Sequence, residues 1–302
     1  MQIGPILIVG ILSALPFSPA EQQPAAGDQP TSIRLNVNLV QLPATVTDSN
    51  GRSVPGLSLQ AFRLLVDGVP QPITAFHGED APVTAGIVID NSASMASKKS
   101  TVIEAALAFA RGSNQLDQMF VVHFNGRARL GLPSDVPFTG DIAKLEAAIS
   151  RFELGGTTAL YDALVFAQAQ FRRAFYLRKV ILVITDGADN SSHAPLPDVL
   201  NSLQKSGVVL FVIGLFNETD RGNPRVLTQL AESTGGRAFF PEAVTDATKV
   251  CEEVAREIRR QYILGFPGAE DGQYHHVEVT AQDAKYGPLQ VRTRPGYFAL
   301  KP

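Results

Sequence analysis

The stretch "GIVIDNSASMAS", residues 86–97, sets a carboxylate and two hydroxyls on alternate positions where an apolar run stops: Asp90, Ser92 and Ser94. A second apolar run ends in "VITDGADNSS", which places Asp186 before a glycine. Between the two lies "GGTTALYDAL", a glycine turn that presents threonine hydroxyls just ahead of a helix. The ligating groups in these stretches are all oxygen donors, with no His or Cys among them. Hard cations such as Mg²⁺ take that ligand set, and Mn²⁺ and Ca²⁺ fit it as well. Short serine hydroxyls bind a metal without adding charge. A site with few direct carboxylates leaves the ion electrophilic, able to accept one more carboxylate from outside.

Positioning such groups needs strand ends that meet. The runs "AGIVI", "MFVVHF", "KVILVIT" and "GVVLFVIGL" are apolar throughout and alternate with helical stretches. Strands of this kind indicate a mainly parallel, doubly wound α/β sheet covered on both faces. Ligands bind such sheets beyond the carboxyl ends of the strands, where Asp90 and Asp186 fall. Three helices are legible as apolar stripes: Val102, Ile103, Ala106, Leu107 and Ala110; Leu160, Ala163, Leu164, Ala167 and Phe171; and Ala247, Val250, Cys251, Val254 and Ile258. The last of these is expected over Thr245–Arg260.

The flanks have a different rhythm. "IRLNVNLVQLPATVTDSNGRSV" and "FRLLVDGVPQPITAF" alternate apolar and polar residues, as half-buried strands do, with hairpin signals at Asn50-Gly51 and Asp67-Gly68. Beyond Arg260, "QYILGF", "HHVEVTA" and "LQVRTRPGYFAL" are again strands, with Asp271-Gly272 as a turn. Neither flank makes a comfortable domain alone, so the two are expected to pair into one small β-sandwich with the α/β unit inserted between them. The expected layout is an N-terminal β segment over 32–83, the α/β domain over 84–260 and a C-terminal β segment over 261–302.

Residues 1–20 carry no charged side chain, and Ile6–Leu15 form a mostly apolar core too short to span a bilayer comfortably. Ser18 and Ala20 fit the small positions of a cleavage site, and a polar linker over 21–31 follows. An export signal is the favoured reading, although no Lys or Arg precedes the apolar core; an uncleaved anchor is the other. The expected location is secreted, periplasmic or cell-envelope. Over the 302 residues the formal net charge is −3, which gives no support to a nucleic-acid surface. One cysteine excludes an internal disulfide framework.

Taken together, "DNSASM" resembles the D-x-S-x-S motif of von Willebrand factor type A (VWA) domains, their metal-ion-dependent adhesion site (MIDAS). "GGTTALYDAL" is similar to that family's Thr loop and "VITDG" to its second Asp loop, in the same order and at ends of the same elements. The domain-level likeness covers about 85–260 and implies a Rossmann-like VWA fold. "VTDSNGRSVPGLSLQAFRLLVDGVPQPITAF" before it, and "YFAL" following "RTRPG", resemble the surroundings of this domain in secreted bacterial VWFA-related proteins of acidobacterial type.

Carried over by residue, the resemblance implies metal ligation by Asp90, Ser92, Ser94 and Asp186, with Asp90 acting partly through water or hydroxyl contacts. For the Thr loop two residues compete. Thr158 keeps the spacing to "LYDAL" and is favoured; Thr157 directly follows the glycine pair. Ala93 stands where glycine is commoner. The implied role is cation-dependent capture of a protein partner's acidic side chain, not catalysis. A fold-stabilising metal site in a structural component of the cell envelope is the competing role.

Simpler explanations exist for single residues. Asp90 alone could be a helix N-cap and Asp186 a turn residue; three matching loops outweigh both. Asp162 could support the site or cap locally. Cys251 lies on an apolar stripe, as a small buried hydrophobe would. His275 and His276 point to opposite faces of a strand and cannot grip one metal together, and His123 sits in an apolar strand as a structural residue. "NSS" at 190–192 and "NET" at 217–219 fit the glycosylation sequon and carry little weight. No G-x-S-x-G, H-E-x-x-H or P-loop is present. A metal-activated hydrolase would need a base beside the ion, for which Asp189 is the nearest candidate.

Overall fold

Alternating patterning at the start and end of the chain produces two antiparallel sheets, and a computed structural model describes residues 38–151, 153–187, 189–216 and 222–301. The leader and linker expected over 1–31, the start of the first β segment and the sequon at 217–219 lie outside the described residues. Strands β1 (Leu39–Thr47), β2 (Phe62–Val66), β3 (Val69–Gln71) and β4 (Ala75–His77) precede the α/β unit. Within that unit come β5 (Thr84–Asp90), α1 (Lys99–Gly112), β6 (Gln118–Phe124), β7 (Ala128–Leu130), α2 (Ile142–Ile149) and α3 (Leu160–Gln170). It continues with β8 (Lys179–Thr185), α4 (Leu196–Ser206), β9 (Val208–Gly214), α5 (Pro224–Glu232), β10 (Arg237–Phe239) and α6 (Ala247–Arg259). Strands β11 (Tyr262–Pro267), β12 (Tyr274–Ala281), β13 (Gln290–Arg292) and β14 (Gly296–Phe298) close the chain.

The flanks interleave rather than stack as separate pieces. One sheet has the order β13-β1-β11-β4 and the other β14-β12-β2-β3, so each mixes strands from both ends of the sequence. Their inner faces share one apolar core that includes Leu42, Val46, Leu64, Phe266 and Tyr297. This is the sandwich expected from the two incomplete flanks. Tyr262 anchors it: its hydroxyl donates to the Val54 carbonyl at 2.8 Å and accepts from the Leu57 N–H at 3.0 Å.

The turn signals resolve differently. Asp67 (φ 50°) and Gly68 (φ 78°) both take left-handed conformations and join β2 to β3, with Val66 opposite Val69, as a two-residue turn between twisted strands requires. At Asn50-Gly51 only Gly51 is left-handed (φ 74°). Thr47 pairs with Ser53 instead, and the Asp48 carboxylate accepts from the N–H of Asn50 and of Arg52, each at 2.9 Å. A side chain that mimics the backbone widens the expected two-residue turn into a longer loop.

The central sheet has the order β10-β9-β8-β5-β6-β7, parallel except at β7. Every residue of β5 and β9 is buried, which explains their unbroken apolar sequences. Each fully buried Ile or Val there contributes on the order of 1.5–3 kcal/mol. Gly86 has a packing reason: a Cβ would come within 2.5 Å of the Phe120 ring on β6. The chain leaves β5 toward β6 on one side and later returns to β8 on the other. The connections therefore diverge at the carboxyl ends of β5 and β8, a crevice suited to ligands.

Candidate metal centre

Asp90 is the last residue of β5 and Asp186 the first after β8, so the parallel register sets the two carboxylates at adjacent strand ends. Both are buried. The Asp90 carboxylate accepts from the Thr185 hydroxyl at 2.6 Å and from the Ser92 N–H at 2.8 Å. Thr185 in turn accepts from the Gly187 N–H at 3.0 Å, so a single hydroxyl ties the two Asp loops together. Burial pushes the Asp90 carboxyl up to about 6 against these hydrogen bonds, and the neighbouring charge of Asp186 adds to the rise.

Ser92 and Ser94 are brought side by side, their hydroxyl oxygens 3.1 Å apart. Ser92 is buried whereas Ser94 is exposed, which opens the cluster to solvent on that flank. A 3-10 turn over Ala93–Lys98 follows. Residues three apart in a 3-10 turn lie on one edge, and Ser92, Met95 and Lys98 are all buried. That geometry brings the Lys98 ammonium back to 3.6 Å from Asp186 Oδ2, with both side chains 2% exposed.

The threonine loop lies between. Thr158 is buried, donates its N–H to the Asn190 side chain at 2.9 Å and accepts from the Asn190 N–H at 2.9 Å. Thr157 is exposed, and a Cβ on Gly126 would fall 2.8 Å from its hydroxyl. The loop is held to β5 and β6 by backbone bonds: Gly155 N–H to Asn91 O at 3.0 Å and Ala159 N–H to Asn125 O at 2.7 Å. Asp189 accepts from the Tyr161 N–H at 3.0 Å and the Ser192 hydroxyl at 2.6 Å. Asp162 accepts from the N–H groups of His193 and Ala194 at 3.0 and 2.9 Å. These bonds tie the start of α3 to the loop after β8.

The donor set suits a divalent cation. Both carboxylate oxygens of Asp186 are buried without a hydrogen-bond partner among the described residues; the Lys98 ammonium at 3.6 Å offsets one of the two buried carboxylate charges, and the remaining charge costs free energy that a cation would relieve. Among the described residues no three His, Cys, Asp or Glu side chains gather as a metal cluster. Two carboxylates with hydroxyls are what these loops bring together. The residues that sequence reasoning did not single out are Thr185, Asn190 and Lys98. Thr185 stands inside "VITDG" and Asn190 inside the same loop. Lys98 carried no local signal, because it resembles the solvated start of α1.

The remaining marked residues are structural. His123 Nε2 lies 2.8 Å from the Ala148 carbonyl and Nδ1 lies 3.2 Å from the Asn91 amide. A carbonyl only accepts, so Nε2 carries the proton; burial lowers the imidazole's affinity for a second one. Cys251 is fully buried in α6, and burial pushes its thiol far up. His275 bonds Asp67 at 2.7 Å and Asp271 at 3.1 Å.

Comparison with known proteins agrees with this geometry. The von Willebrand factor type A protein of Catenulispora acidiphila superposes with a TM-score of 0.54 at 17% identity, over 88% of this chain and 75% of that one. Proximal thread matrix protein 1 of the mussel byssus, solved with zinc in its MIDAS motif, gives 0.52 at 20% identity, over 64% of this chain and 49% of its own. At such identities the likeness is one of fold. No curated protein matches the chain. The family model for the von Willebrand factor type A domain matches residues 86–253, more than half the sequence and all three loops, and the chain therefore belongs to the VWA family.

Proposed function

We propose that this protein is an exported, divalent-cation-dependent protein-binding module. Asp90, Ser92, Ser94, Thr158 and Asp186 hold Mg²⁺ or a similar ion, which supplies an electrophilic point for a partner's Asp or Glu carboxylate. The observation that carries this reading is the Asp186 carboxylate, buried near Asp90 at diverging strand ends with no hydrogen bond among the described residues and with the Lys98 ammonium 3.6 Å away as its ion-pair partner, so that two buried carboxylates share one compensating charge. Burial of Thr158 and exposure of Thr157 favour Thr158 as the loop's ligand. The zinc seen in the byssus protein's MIDAS motif is consistent with a metal here. Export rests on the apolar, uncharged first twenty residues, and the bacterial VWFA-related group on the flanking sequences. Asp189, the one candidate base, is engaged by Tyr161 and Ser192, which supports binding over hydrolysis.

Isothermal titration with Mg²⁺ and Mn²⁺ tests the site. Asp186→Asn and Asp90→Ala should lose the metal isotherm while retaining a folded circular-dichroism spectrum; metal binding equal to the parent's would refute the assignment. Full burial of both carboxylates also favours a second reading, in which the ion only stabilises the fold. Melting with and without EDTA, beside metal-dependent capture of acidic peptides, separates the two. Metal-dependent stability without metal-dependent capture selects the second.

A further inference from the structure

Next to the serine loop lies a cleft of about 220 Å³ whose lining includes Asn91, His123, Arg127, Arg129, Arg151 and Glu153. It shares a wall with the proposed metal centre. Asn91 falls between Asp90 and Ser92, and alternate residues of an extended segment point to opposite sides. Asp90 thus turns to the loops while the Asn91 amide turns to His123 in the cleft, 3.2 Å away. The hairpin joining β6 to β7 carries Arg127 and supports the threonine loop through the close approach of Gly126 to Thr157. Cleft and metal loops are two halves of one surface.

The charge of that cleft is one-sided. Three guanidinium groups face the single carboxylate of Glu153, which pairs with Arg129. Arg151 donates to the Gly131 carbonyl at 3.2 Å, a bond that leaves its charge uncompensated. Arg127 makes no ion pair with any described residue; its backbone N–H donates to the Asn125 side chain and its carbonyl accepts from the Asn125 N–H, each at 3.3 Å. His123 on the floor is held toward the neutral form by burial, which outweighs the opposing effect of its hydrogen bond to the Ala148 carbonyl. In a chain of net charge −3, a local excess of arginine beside a cation site is a recognition feature, because planar guanidinium groups pair with carboxylates in bidentate geometry.

The geometry points to a partner segment bearing two acidic side chains, one for the metal and a second for Arg127 and Arg151. This rests on the metal reading above and specifies the ligand for it. An extended segment places side chains two apart on one face, about 7 Å from each other, so closely spaced acids in a strand or loop can reach both halves. The overall negative charge disfavours a nucleic acid in the cleft.

The test uses the full chain loaded with Mg²⁺ and fluorescent peptides containing two aspartates separated by one to four glycines, with matched peptides in which the second Asp is Asn. Fluorescence polarisation should show the best two-acid peptide binding at least tenfold tighter than its one-acid control. Arg127→Ser/Arg151→Ser should abolish that ratio while leaving the Mg²⁺ isotherm and the one-acid affinity unchanged; Arg127→Ser alone should reduce it if the double variant is unstable. A one-acid peptide bound with Mg²⁺ but no gain from a second acid overturns this inference and spares the metal site. Peptide binding insensitive to EDTA, or absent, overturns both. Arginine-dependent displacement by an oligothymidylate as strong as by the peptide would reassign the cleft to nucleic acid.

Discussion

Lys98 is the residue whose environment is least expected from its type. Its ammonium is buried 3.6 Å from one oxygen of Asp186, beside a second carboxylate whose own pKa is raised by burial. Two buried carboxylates near one ammonium leave a net negative charge, which the proposed divalent ion would neutralise. Lys98→Met removes one partner of a buried ion pair, a change that costs about 3–5 kcal/mol. Urea unfolding in EDTA should show a loss of that order, and saturating Mg²⁺ should recover much of it by supplying the missing charge. A loss unaffected by Mg²⁺ would show that Lys98 acts through packing of its stem.

Strand β12 offers an example at the level of elements. His275 on β12 bonds Asp67 of the β2–β3 turn and Asp271 of the loop before β12, and stacks on Tyr297 of β14 with ring centroids 5.4 Å apart. The carboxylates raise the imidazole's pKa, Asp67 first; Asp67 is itself held low by the imidazole, and Asp271 by the Gln273 N–H and then the imidazole. A raised folded-state value means that the imidazolium's contribution is fully present below the unfolded value near 6.5 and is lost as pH rises through the folded one. For the aspartates the sign reverses: their contribution is present above the unfolded value near 3.8 and lost as pH falls through the depressed one. The melting temperature of His275→Gln should therefore lie below the parent's between about pH 5 and 6, and the gap should narrow as pH rises through the raised folded value. Parallel curves across that range would show that the three groups do not strap these strands together.

At the scale of the molecule, the sandwich and the α/β unit meet at the end of α6. Glu257 on α6 is buried and accepts from the Thr45 hydroxyl of β1 at 3.2 Å, while Arg292 of β13 pairs with it and also donates to the Gly235 carbonyl at 2.7 Å. Gln261 donates to Thr45 at 3.3 Å, and Arg178 donates to the Ile258 carbonyl at 2.8 Å. Polar groups buried at such a junction fix one arrangement of the layers, because each is costly if unpaired. Glu257→Ala removes the buried acceptor that Arg292 and Thr45 share and should destabilise the protein by about 3 kcal/mol in urea unfolding. Since α6 runs into β11 with only Arg260 and Gln261 between them, the same variant should also let the sandwich unfold ahead of the α/β unit, seen as non-coincident tyrosine fluorescence and far-ultraviolet transitions. A single coincident transition at the parent's midpoint would show that the junction carries no coupling.

Local periodicity determined the larger part of the fold. Apolar runs such as "KVILVIT" become inner strands because burial on both faces leaves no place for polar residues, and the stripes ending at Ala110, Phe171 and Ile258 become helices packed on that sheet. The three oxygen-bearing loops were legible for the same reason: each interrupts a strong pattern at its end. What the tertiary structure decided depends on distances that no local pattern encodes. It chose Thr158 for burial and left Thr157 outside, replaced the Asn50-Gly51 turn by a loop built on Asp48, and returned Lys98 to Asp186 through the 3-10 turn Ala93–Lys98. It also gathered Arg127, Arg129 and Arg151 around one cleft. Short-range order follows from side-chain spacing along the chain. The meeting of Thr185 with Asp90, ninety-five positions apart, follows only from which strands lie side by side.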